Sequence, residues 1–117
     1  MLLAAGLIDL GFALFHALFW RLFGWPERLQ PSGGLNTAIT QTLNAMLGFV
    51  FLAYGAALLW QGWIGATAMA LPLAGALFWI LRLVLQFLWF DIRPLASRAI
   101  AAVFALAALV HLLAALA

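Results

Sequence analysis

His16, Gln41, Asn44, Trp79, Arg82 and Gln86 are the side chains of this chain best suited to binding or transforming a ligand. All six fall inside long apolar stretches, where an unpartnered polar group is costly and an ionisable one normally faces a bundle interior or a wet cavity. A guanidinium brings five donors in a planar fork, an imidazole changes charge near neutrality, and amides fix orientation. Converging, they would suit a small polar or anionic ligand. A catalytic version of the same set uses His16 as general base and Arg82 as charge stabiliser. Asp9 and His111 form a second set, a carboxylate and an imidazole suited to a proton relay.

Depth and helical spacing support one polar layer. His16, Asn44 and Arg82 each lie about eight residues from the same end of their apolar stretches, or about 12 Å at 1.5 Å per residue. Positions three, four or seven apart share a helix face. Thr37, Gln41, Asn44 and Gly48 form one such face; Gly75, Trp79, Arg82, Gln86 and Trp89 form another; Asp9 and His16 share a third. Turned inward, these faces would place the six residues around a pocket in the cytoplasmic half. The plainer alternative is interhelical hydrogen bonding, worth about 0.6 to 2 kcal/mol per bond in a membrane. Arg82 has a further alternative, snorkelling to the interface. Asp9 and His111 match in depth near the opposite surface, so they are expected to pair.

The elements that position these residues follow from composition. In 117 residues, 69% are hydrophobic and 7% charged, against about 25% charged in soluble domains. With a mean hydropathy of +1.21, the chain reads as an all-α polytopic membrane protein, a single bundle of four transmembrane helices. The spans are expected at about 2–23, 36–60, 63–90 and 95–117, each near the roughly 20 residues a crossing needs. The first has no basic segment before it and no small-residue cleavage site after it, so it is kept as mature structure. Pro31-Ser32-Gly33-Gly34 and Asp91-Ile92-Arg93-Pro94 break the chain, and Gln61-Gly62 is expected to form the turn between spans two and three. Pro72 is expected to tilt or kink the third span.

Arg21, Arg28, Arg93 and Arg98 gather at the end where spans one to two and three to four connect. The positive-inside rule puts that end in the cytoplasm and both termini outside, in what reads as a bacterial inner membrane. Trp20, Trp25 and Trp89 at one surface, and Trp60 and Trp63 at the other, fit interfacial aromatic belts.

Several chemistries are excluded. There is no cysteine, hence no disulfide, thiolate metal site or cysteine nucleophile. His16 and His111 differ in depth by about 13 Å and cannot flank one haem iron within a chain, which leaves one histidine from each of two subunits as the haem alternative. No three ligands converge for zinc, so no metal or other cofactor is expected. Ser32 and Ser97 sit at loops or caps without an adjacent base. Five arginines without lysine, four at two connections and one inside a span, are no nucleic-acid footprint. Gly33-Gly34 before a helix start reads as a cap and turn, with a lipid phosphate as the functional alternative.

Rows of small residues, Gly62-Ala66-Ala70-Ala74 and Ala107-His111-Ala115, suit close helix packing within the bundle or between subunits. In length and four-span layout the chain resembles small multidrug transporters. Its polar layer resembles that of small membrane glutathione-dependent enzymes. The motif around the acidic residue of the first family and the Arg and Glu signature of the second are absent, so neither likeness implies a function. Three readings stand: a unit binding or transporting a small polar or anionic ligand, an accessory subunit of a membrane complex, and a small membrane enzyme. The expected partners are the lipid bilayer, that ligand, and either further copies of the chain or a membrane partner subunit.

Overall fold

Glycine and proline, more than charge, punctuate the fold. A computed structural model describes residues 1–117 as helices joined by short turns, without a strand. The helices are α1 (Leu2–Ala17), α2 (Phe19–Leu22), α3 (Gly34–Trp63), α4 (Ala70–Trp89) and α5 (Leu95–Leu116), with a 3-10 turn at Gln30–Ser32.

Two helix ends share one device. Gly65 takes a positive φ of 68°; the Ala66 N–H reaches back to the Gln61 carbonyl at 3.1 Å and the Gly65 N–H to Gly62 at 3.3 Å. This is the paired closure of a left-handed helix cap, which satisfies carbonyls a helix end leaves open. Gly24, at φ 66°, follows α2 in the same left-handed conformation, with the single bond of Trp25 N–H to the Trp20 carbonyl at 3.0 Å.

The structure corrects three boundaries. The turn expected at Gln61-Gly62 lies instead at 64–69, because Gly65 supplies the left-handed residue while Gln61 stays helical. Gly62 is therefore in the last turn of α3 and Ala66 sits in the connection, so Gly62-Ala66-Ala70-Ala74 is not one helix face. Pro72 becomes the third residue of α4, behind the Met69 cap. Its missing N–H falls among the first-turn donors that have no helical acceptor anyway, and the reason for a kink disappears. Finally, the first span is not continuous: α1 stops at Ala17 and α2 resumes at Phe19.

Three helices, α3, α4 and α5 with 30, 20 and 22 residues, are long and apolar enough to cross a membrane. They measure about 45, 30 and 33 Å against a hydrocarbon core of about 30 Å. Helix α1 is equally apolar but has 16 residues, about 24 Å. Leu43, Phe49, Leu88, Leu95 and Leu106 are among many large apolar side chains left exposed. Such a surface would aggregate in water and is consistent with an integral membrane protein.

The chain divides into two compact units, Gly6–Ala57 and Met1–Ala5 with Leu58–Ala117. In the first, α1 packs on α3 through glycine: a Cβ on Gly55 would stand 2.9 Å from the Gly6 carbonyl, and one on Gly48 3.6 Å from the His16 Cβ. Phe12 meets Phe51 with ring centroids 5.7 Å apart. In the second unit, Gly62 receives Leu2 and Leu3, and α4 packs along α5. Trp79 stacks on Phe104 at 5.7 Å and 21°. Ala107, His111 and Ala115 are all buried, so this expected small-residue row does face inward.

Candidate functional site

In the unit Gly6–Ala57, the expected polar face of α3 meets the end of α1. Asn44 Nδ2 donates to the main-chain carbonyl of His16 at 2.8 Å. A carbonyl can only accept, so this bond fixes the amide orientation and turns Asn44 Oδ1 towards His16 Nδ1, 2.6 Å away. The imidazole proton therefore sits on Nδ1 when the ring is neutral. The His16 carbonyl is the one that Trp20 N–H would take in a continued helix, and α1 ends one residue later. One turn towards the loop, Trp20 Nε1 donates to Gln41 Oε1 at 2.8 Å, and Gln41 Nε2 reaches the Thr37 carbonyl at 3.4 Å. Thr37 Oγ1 lies 2.9 Å from the Leu29 carbonyl and 2.8 Å from that of Gly33, tying the loop to the helix start.

Aromatic rings surround the imidazole. Phe19 stacks on His16 at 4.5 Å and 25°, and Phe51 lies 5.4 Å away. Beside this group runs a groove of about 670 Å³. Its lining combines small residues, Ala13, Ala17, Ala45 and Gly48, with the large apolar side chains of Leu10, Leu14, Phe49 and Leu52. His16, Trp20 and Asn44 line it too, so an apolar trough carries one polar patch.

In the other unit, Gln86 is buried and joins α4 to α5: its Nε2 donates to Ser97 Oγ at 2.8 Å. Its Oε1 is thereby turned towards Arg82, whose Nη1 donates to it at 3.1 Å. The guanidinium carbon lies 4.3 Å over the Phe104 ring and 5.1 Å over that of Phe90. Trp79 is buried on Phe104, with His111 6.4 Å away. His111 Nδ1 bonds the Ala107 carbonyl at 2.7 Å, so its neutral form also carries the proton on Nδ1.

Of the residues singled out from sequence, His16, Gln41 and Asn44 thus gather in one unit, and Trp79, Arg82 and Gln86 in the other. Asp9 and His111 are fully buried. Within its own unit Arg82 uses Gln86, Phe104 and Phe90. Trp89, the last residue of α4, is 78% exposed. Sequence reading missed Trp20 and Ser97 as partners. Trp20 lies four residues beyond His16 as Gln41 lies three before Asn44, the spacing that two antiparallel helices require. Gln86 and Ser97 likewise stand five residues before Asp91 and three after Pro94.

Outside the helices, Asp91 and Arg93 form a two-pronged ion pair, with Arg93 Nε 3.0 Å from Oδ1 and Nη2 3.0 Å from Oδ2. The Arg93 side chain, then its backbone N–H, hold the Asp91 carboxyl below its ordinary value. No three His, Cys, Asp or Glu side chains cluster as metal ligands. No protein-family model, curated sequence or solved structure matches the chain.

Proposed function

We propose that this is a four-span protein of the bacterial inner membrane, with both termini extracytoplasmic, that binds a small polar or anionic ligand with an apolar portion. In this reading α1 and α2 together make the crossing that α1 is too short to make alone. The groove carries the proposal: about 670 Å³ of apolar trough with His16, Trp20 and Asn44 along it. A purely structural imidazole–amide pair has no need of such a space beside it. The ligand's apolar part lies against Leu14 and Phe49 and its polar group meets the imidazole and indole. Transport would follow if several copies arrange their grooves around one path.

Native mass spectrometry of the detergent-solubilised chain tests this reading. A retained small molecule that Ala45→Phe removes, with helical content unchanged, supports it; Ala45 lines the groove and is exposed. A chain that carries no adduct from its native membrane, or an adduct indifferent to Ala45→Phe, refutes it.

One observation favours a second reading. Every buried side-chain nitrogen and oxygen has a hydrogen-bond partner, as interhelical bonding alone would require. The chain would then serve as an accessory subunit whose helix faces meet another membrane protein, and co-purification of a stoichiometric partner would be its signature.

A further inference from the structure

Arg82 carries a charge that no carboxylate in the structure balances. Arg93 is paired with Asp91, whereas Arg82 makes one hydrogen bond, to Gln86. A guanidinium has five N–H groups, so most of its donors have no acceptor in the protein. Phe104 and Phe90 lie under the guanidinium carbon. The rings hold the flat group in place, and its hydrogen-bonding edge is the part left to a ligand. Gln86, clamped by Ser97, fixes one corner of that edge.

The direction of the side chain indicates the ligand. Helical side chains lean towards the N-terminus of their helix. Arg82 runs the other way, to Gln86 one turn on and to Phe90 at the end of α4. Its Cα is seven residues before Trp89, about 10 Å along the helix, so the guanidinium reaches towards the surface where exposed Asp91, Arg93 and Arg98 lie. The oxyanions met at such a depth are phosphates, and a planar fork matches two phosphate oxygens at once.

We infer that Arg82, held over Phe104 and Phe90 and braced by Gln86, binds a phosphate oxyanion. Its source is either the headgroup of an anionic phospholipid or a free phosphate. This site is built by α4 and α5 and does not depend on the groove of the other unit.

The test is native mass spectrometry of the full chain in a non-ionic detergent, titrated with short-chain phosphatidic acid and, separately, with inorganic phosphate. The expected result is one bound equivalent of at least one probe, and the probe that binds identifies the source. Arg82→Leu should weaken it by about tenfold. Arg82→Lys, which keeps the charge but lacks the fork, should weaken it by about threefold or more, and it carries the test alone if circular dichroism shows that Arg82→Leu fails to fold. Ala45→Phe should leave it unchanged, whatever becomes of the groove ligand. Absence of binding with both probes, binding unaltered in the arginine variants, or binding lost in Ala45→Phe would overturn the inference.

Discussion

Asn44 holds His16 at two points, by a 2.8 Å bond to its main-chain carbonyl and a 2.6 Å contact with its Nδ1. One amide thus acts on both the backbone and the ring of a residue 28 positions away. It stands in for the helical donor that the His16 carbonyl lacks where α1 breaks, and it selects the tautomer of the imidazole.

Asn44→Leu should remove both bonds and leave the Nδ1 proton without an acceptor. The expected cost is about 1 to 3 kcal/mol, read as a lower midpoint of thermal unfolding in detergent. Asn44→Asp keeps an acceptor for Nδ1 but loses the donor to the carbonyl, so it should fall between Asn44→Leu and the parent chain. Equal midpoints for all three would mean that the contact contributes nothing.

Two glycines of α3 should respond oppositely to the same change. At Gly55 an added methyl would meet the Gly6 carbonyl at 2.9 Å, a backbone atom that cannot swing away. Gly55→Ala should therefore cost about 1 to 3 kcal/mol, as overpacking does. At Gly48 the nearest atom stands at 3.6 Å, ordinary contact, and Gly48→Ala should be neutral or stabilise by up to about 1 kcal/mol through helix propensity. Unfolding midpoints of the two variants, measured side by side, decide the matter.

Orientation is open to a direct check. An alkaline phosphatase fused after Ala117 should be active, since the enzyme works only outside the cytoplasm, and one fused after Gly33 should be silent. The reverse pattern would show that the arginines at 21, 28, 93 and 98 do not set the topology.

The exposed Asp91–Arg93 pair should leave stability flat across neutral pH. The folded carboxyl titrates below its ordinary value, so its contribution is complete above the unfolded pKa of about 3.9 and is lost only as pH falls through the lower folded value. A carbon-detected NMR titration of Asp91 should give a midpoint below that of Arg93→Ala, and salt should narrow the gap. A midpoint unmoved by Arg93→Ala would remove the pair from solution.

The helices themselves were legible because apolar runs and the Asp91–Pro94 break depend on local sequence. The inward face of α3 was legible too, since Thr37, Gln41, Asn44 and Gly48 follow helical spacing. What stayed hidden depended on distant contacts or on conformation. The break at Leu18 coincides with a bond from Asn44, which no window around residue 18 contains. Gln61 looks like a loop residue because it is polar, yet it is helical and donates its amide to the Ala68 carbonyl at 2.6 Å. The true turn residue, Gly65, is one small residue among several and shows its role only through its left-handed backbone. Trp20 has the composition of a membrane anchor, and only its bond to Gln41 sets it apart. The groove arises from an absence of side-chain volume at Ala13, Ala17, Ala45 and Gly48, which in an alanine-rich chain looks like any other stretch.

The meeting of Gly6 and Gly55 has a mechanical consequence. With bare backbone on both sides, α1 sits in a notch of α3. Sliding α1 along that face would press the Gly6 carbonyl against the side chain of Phe51 or Leu52, which stand four and three residues before Gly55 on the same side of α3. The next notch on that side of α3 is Gly48, seven residues away, or about 10 Å. Thermal motion can therefore rock α1 about this point but cannot make it creep, and His16 keeps its height opposite Asn44 as in a detent.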